Sequence, residues 1–187
     1  MIEWVLLLVQ LANPAAWLCA DAFAGAFVEA ASPSAQRVCV DLVRRAEVVG
    51  VEPQAAMAVA YHETKFVDAP SYAGRRLLDR GTLPSALPAW SERSALQCKP
   101  QYFCPDGKVE GCDYLFWCLL HLKKQWDHPR VCTPQRCVRI PKKEGWERHA
   151  LERYKNPYSP ADGYGGRVHY WYRRITRPEP SFVARLL

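Results

Sequence analysis

The chain carries none of the short motifs that announce nucleotide or metal chemistry. It has no Gly-rich phosphate loop, no zinc-finger spacing and no aromatic RNA-binding motif. It has no internal repeat and no low-complexity segment. Apart from one apolar run at the start, residues 4–18, no stretch is long and apolar enough to span a membrane. That run lacks the basic residues that precede a typical leader, since Glu3 stands where Lys or Arg is expected. The cysteines between Cys98 and Cys137 form no Cys-x-x-Cys pair, which argues against a structural zinc site. His121 and His128 stand at no standard metal spacing from Cys118 or Cys132. They are therefore expected to be core or solvent-facing histidines, and no metal site is assigned.

What is present points to one domain. At 187 residues, with nearly half the residues apolar and seven tryptophans, the chain can bury a sizeable core. The net charge of +6 favours a polyanionic partner. Nucleic acid and peptidoglycan, with its stem-peptide carboxylates, both qualify. Eight cysteines read as disulfides formed in an oxidising compartment, in the periplasm or outside the cell, with the pairing left open by the spacing.

Residues 1–26 read as a signal peptide, with Ala20-Asp21-Ala22 and Ala24-Gly25-Ala26 as small-x-small cleavage patterns. An uncleaved anchor and a buried first helix are the alternatives. Cleavage would remove Cys19 and leave one cysteine unpaired, with Cys39 the expected one. Residues 27–34 read as a linker, 35–177 as the folded domain and 178–187 as a tail. Ser32-Pro33 opens a helix that Gly50 ends, with Val38, Leu42, Val43 and Ala46 as its apolar stripe. Residues 67–100 are rich in Pro and Gly and irregular, with a short helix expected near 75–79. Cys98 to Cys112 looks like a stapled loop, and Cys132 to Cys137 like a small hairpin that a disulfide closes. Further helices are expected over about 113–126, from Gly145 onward, and over about 164–176. The fold class is therefore mainly α, a single compact helical domain stapled by disulfides, with an irregular or small β-containing wall.

The most informative stretch runs from Gly50 to Phe66. Pro53 suits a first helical turn, and Ala56, Val59 and Ala60 recur at helical spacing. Continuing that series lands on Glu63, in line with the apolar stripe, while His62 and Lys65 point elsewhere. A carboxyl on an apolar face loses solvation and holds its proton more readily. Such a group suits general acid catalysis.

Gly-Val-Glu-Pro followed by His-Glu-Thr-Lys-Phe resembles the catalytic segment of the soluble lytic transglycosylases, where a helix ends in Glu-Ser and an aromatic follows. Here the pair is Glu63-Thr64, with Phe66 behind it. Ser94-Ala95-Leu96-Gln97 resembles that family's Gly-Leu-Met-Gln turn, and Leu151 to Asn156 resembles its Leu-Ala-Ala-Tyr-Asn motif. The resemblance covers about residues 36–176 and implies a lysozyme-like α+β fold. It implies that Glu63 is the catalytic residue, that Thr64 and Asn156 lie in or behind the site, that Gln97 bonds a sugar, and that the Tyr154 phenol holds the acid or touches the sugar. Lys155 replaces the family's asparagine, with Asn156 one step on. The activity implied is cleavage of the β-1,4 bond between N-acetylmuramic acid and N-acetylglucosamine, leaving 1,6-anhydromuramyl ends. It needs no cofactor. The expected partners are the glycan strand and an envelope or secretion complex, with no specific nucleic acid, and the chain is expected to act as a monomer. A water-using enzyme would need a second carboxylate, for which Asp68, Asp79 and Glu92 are the candidates. A goose-type lysozyme and a non-catalytic glycan-binding module are the alternatives.

Overall fold

The computed structural model describes residues 13–68, 76–77, 79–81, 94–104, 112–155, 157 and 162–177. Helix α1 spans Pro14–Ala24. A short 3-10 turn, Val28–Ala30, leads to α2, Pro33–Val49. The Ser32 side chain accepts the Ala35 N–H, and Gly50 closes α2 at φ 75°, so both ends lie where the sequence puts them. Helix α3 is Pro53–Thr64, and α4 is the single turn Pro100–Phe103. Helix α5, Tyr114–Asp127, starts at Asp113, whose carboxylate accepts the Phe116 N–H. A two-stranded antiparallel ribbon follows, β1 Arg130–Cys132 and β2 Cys137–Arg139, with Cys132 opposite Cys137. Helices α6, Trp146–Lys155, and α7, Tyr164–Thr176, complete the described fold. The chain is mainly helical with a small β element.

Helix α3 sits at the centre. Residues 55 to 61 are all buried, because α2 and α7 pack on it from two sides. Short side chains, four of the seven alanine, let those neighbours approach closely. An aromatic cluster covers one end. Phe27 stacks on Tyr61 at 4.2 Å between ring centroids, Phe66 stands 5.3 Å from Phe27, and Trp171 meets Tyr61 edge-on at 4.5 Å.

All eight cysteines are paired: Cys19–Cys39, Cys98–Cys118, Cys104–Cys112 and Cys132–Cys137. This pattern fits an oxidising compartment. Among the described residues no helix is long and apolar enough to cross a membrane. Two stretches near the start of the chain pack into the fold. Residues 14–24, assigned to the leader, form α1 with Ala15, Cys19, Ala22 and Phe23 buried, and the Cys19–Cys39 bond ties α1 to α2. Cys39 therefore has a partner. Residues 27–34, assigned to a linker, hold Phe27, which is wholly buried. The low polarity that resembles a leader also forms the apolar face of this helix. The tail at 178–187 lies outside the described residues, and of the helix expected over 75–79, residues 76, 77 and 79 are helical.

Candidate active site

Helix α3 ends abruptly, and this ending sets the position of Glu63. Lys65 adopts φ 55° and Phe66 φ 62°, a left-handed conformation that costs a non-glycine residue about 1 kcal/mol. Burial of Phe66, which is 1% exposed, offsets that cost, since a buried phenylalanine contributes roughly 2 kcal/mol or more. The reversal carries the chain away immediately after Glu63-Thr64. The Lys65 ammonium lies over the Tyr61 ring, 3.6 Å from its centroid, and so points away from Glu63.

The Glu63 side chain retains only 12% of its exposure. Three groups surround it. Lys155, the last residue of α6, brings its ammonium to 3.6 Å from Glu63 Oε2. Tyr164, the first residue of α7, is buried with its hydroxyl beside the carboxylate. Burial pushes the Tyr164 phenol well above its ordinary pKa, and the Glu63 charge adds to this. That hydroxyl lies beside the carboxylate without a well-aligned hydrogen bond. His62 packs edge-on against Tyr164 at 5.2 Å. Burial first, then the charges of Arg167, Lys65 and Lys155, hold its imidazole below the usual histidine pKa, so it is neutral at pH 7.

The third group is the turn Ser94–Gln97. The Thr64 hydroxyl lies 3.0 Å from Ala95 O and 3.1 Å from Ala60 O, sharing its proton between them. It fastens the turn to the end of α3. From the other side the Tyr154 hydroxyl donates to Leu96 O at 2.7 Å and rests against the Cys98–Cys118 bond. The disulfide joins the turn to α5. Ser94, Ala95 and Leu96 are buried, and Ser94 and Gln97 take positive φ, 63° and 51°. A turn held at both ends can carry that strain.

The site residues expected from sequence divide accordingly. Glu63, Thr64, the Gln97 turn and Tyr154 come together. The Tyr154 hydroxyl donates to Leu96 O and so positions the turn, and Tyr164 brings a further phenol beside the acid. Gln97 donates from Nε2 to Ser94 O at 2.9 Å, using part of its amide on its own turn. Asn156 and Glu92 lie outside the described residues. Asp68 lines a small pocket with Arg37, Asp41 and Leu42, on the α2 side of the turn. Three residues escaped sequence reasoning, Tyr164 among them. Lys155 was seen only as a departure from a motif. Glu152, which the sequence does not single out, is 3% exposed and accepts the Asp162 and Gly165 N–H groups at 3.1 and 2.7 Å. Both of its oxygens hold the start of α7, which places this nearby carboxylate in a structural role.

His121 Nε2 lies 3.2 Å from Tyr154 O, and Arg139 donates to His128 Nδ1 at 2.6 Å. Among the described residues no group of three His, Cys, Asp or Glu side chains could hold a metal ion. Comparison with family models, with curated proteins and with solved structures finds no match to this chain.

Proposed function

We propose that the chain is a lytic transglycosylase of peptidoglycan, with a lysozyme-like fold and a place in the cell envelope. The observation that carries the reading is the near-burial of one carboxylate, Glu63, at the end of a core helix, beside a buried phenol and a pinned polar turn. Such an environment suits a group that must donate a proton and then take one back. Glu63 protonates the glycosidic oxygen between N-acetylmuramic acid and N-acetylglucosamine, and the leaving sugar departs. The oxocarbenium-like centre is met by the muramyl C6 hydroxyl, whose proton returns to Glu63. The bond from C6 oxygen to C1 replaces the bond that broke, and no water is consumed. Tyr164 steadies the carboxylate through both steps. Glu152, engaged with the α7 backbone, does not supply the second carboxylate that a water-activating glycosidase uses.

Digestion of purified peptidoglycan followed by mass spectrometry of the soluble muropeptides tests this directly. Anhydromuramyl ends are expected. Reducing ends would mean that water attacks, as in a goose-type lysozyme. One observation favours a further reading, a glycan-binding module without turnover: the Lys155 ammonium supports the charged form of Glu63, which cannot act as an acid. Bound glycan with no released product would select that reading.

Within the enzymatic reading Lys155 is testable by pH. Removing the cation leaves the carboxyl in a more apolar setting, so it keeps its proton to higher pH. Lys155→Met is expected to move the alkaline limb of the kcat/KM profile upward in pH, with the acid limb less affected. An unmoved alkaline limb would show that the contact does not tune the acid.

A further inference from the structure

Helix α7 presents a second concave surface, along the length of the helix beyond Tyr164. His169, Tyr170, Arg173, Arg174 and Arg177 fall on one side of α7 and form one wall of a groove of about 610 Å³. The end of α1, at Gly25 and Ala26, forms the other wall, and small residues there leave the space open. The volume is that of a ligand site rather than of a packing defect. None of the described residues that line it is acidic.

Among the described residues its charges meet no carboxylate. Arg173, Arg174 and Arg177 make no ion pair with a carboxylate among the described residues. Arg174 is held by aromatic groups instead: Nη1 donates to the Tyr170 hydroxyl at 2.9 Å, and the guanidinium lies 5.7 Å from the Tyr170 ring centroid and 5.8 Å from that of Trp171. That arrangement fixes a direction without neutralising the charge. Burial lowers the pKa of His169, against the pull of Glu147 and with smaller contributions from Arg173, Arg148 and Arg177. Gathering like charges in a concavity costs energy and concentrates the field there.

We propose that this groove binds a linear phosphate-bearing chain. Guanidinium forks match phosphate oxygens two at a time. Arg173 and Arg177 are separated by about one helical turn, roughly 6 Å, which suits a polymer with an anion on every repeat. The concave shape favours a chain over a membrane, since membrane binding through a helix uses a broad apolar face and Tyr170 is the one large apolar side chain exposed along α7. This inference is independent of the Glu63 reading.

The test is titration of the full chain with short linear polyphosphate at physiological salt. Saturable binding is expected, weakened at least tenfold by the triple variant Arg173→Ala, Arg174→Ala, Arg177→Ala. The dependence of binding on salt should flatten by about one unit of slope per arginine removed. A second triple variant, Arg37→Ala, Arg44→Ala, Arg136→Ala, removes equal charge from exposed positions elsewhere and is expected to bind as wild type does. Equal loss in both would mean diffuse net charge and would overturn the proposal, as would binding to phosphatidylglycerol vesicles but not to polyphosphate. Oligothymidylate is the second probe. Tighter binding that Tyr170→Ala removes would identify the chain as nucleic acid, and binding equal to polyphosphate would make phosphate charge the whole requirement. Both outcomes keep the proposal.

Discussion

Glu63→Gln is expected to abolish release of muropeptides while leaving the fold in place. The substitution keeps the shape of the side chain and an oxygen for the Tyr164 hydroxyl, but it removes the proton that the leaving group needs. Loss of a general acid typically lowers the rate by 10² to 10⁴. Because the proposed route uses Glu63 first as acid and then as base, a reduction of about 10³ or more is expected, equivalent to roughly 4 kcal/mol in the barrier. Stability should change little. The ion pair with Lys155 is partly open to solvent, the ammonium side retaining 36% exposure, and such pairs contribute at most about 1 kcal/mol. A thermal midpoint within roughly 4 °C of wild type is therefore expected. The decisive comparison is glycan release against folded protein: a folded Glu63→Gln chain that lyses within tenfold of wild type would remove Glu63 from the mechanism. Retained glycan binding in the inactive variant would separate the chemical role of Glu63 from a role in holding the strand.

The sequence declares its helices clearly and its site only in part. Ser32-Pro33, Gly50, Pro53 and Asp113 act through their own neighbours: a side-chain cap, a left-handed stop, a missing N–H at a first turn. Local chemistry of this kind can be read without the fold. The same holds for Cys132 and Cys137, which face each other across a ribbon that five residues of separation nearly dictate. Placing Glu63 on the inner end of α3 also needed only periodicity. What periodicity could not supply is the identity of groups that arrive from elsewhere in the chain. Tyr164 lies a hundred residues beyond Glu63 and reaches it because α7 packs on α3. Tyr154 is aimed at Leu96 O because the Cys98–Cys118 bond brings the turn under α6. Arg153 and Glu152, adjacent and both almost wholly buried, violate the rule that charged residues stay outside, and nothing in their local sequence signals the exception. The start of the chain is a related case. An apolar stretch with small residues satisfies a leader and a packed first helix equally, and the bond from Cys19 to Cys39 on α2 is legible in neither pattern.

Two adjacent glycines give the largest expected effect on stability, and a contrast that isolates its cause. At Gly165 an added Cβ would stand 2.2 Å from Arg148 O and 2.8 Å from both the N and Cβ of Glu152. The obstruction is the backbone of α6, which cannot rotate aside as a side chain would. At Gly166 the nearest atoms are the Arg148 guanidinium, 3.5 Å or more away, an ordinary contact with a movable group. Gly165→Ala must therefore push α6 and α7 apart. That displacement lengthens the 2.7 Å bond from the Gly165 N–H to Glu152, which caps a helix whose own N-cap, Gly163, offers no side chain. Overpacking together with a weakened buried charge-assisted bond costs about 3 kcal/mol or more, a fall of roughly 6 to 12 °C in the thermal midpoint for a chain of this size. Gly166→Ala should be neutral or stabilise by up to about 1 kcal/mol through helix propensity. Equal midpoints for the two variants would show that α6 and α7 are not in backbone contact. If they are, the effect extends to chemistry: Tyr164 precedes Gly165 directly, so Gly165→Ala should lower turnover at temperatures where the chain remains folded, whereas Gly166→Ala should leave turnover unchanged. The tight α6–α7 crossing is then the device that holds the Tyr164 phenol against Glu63.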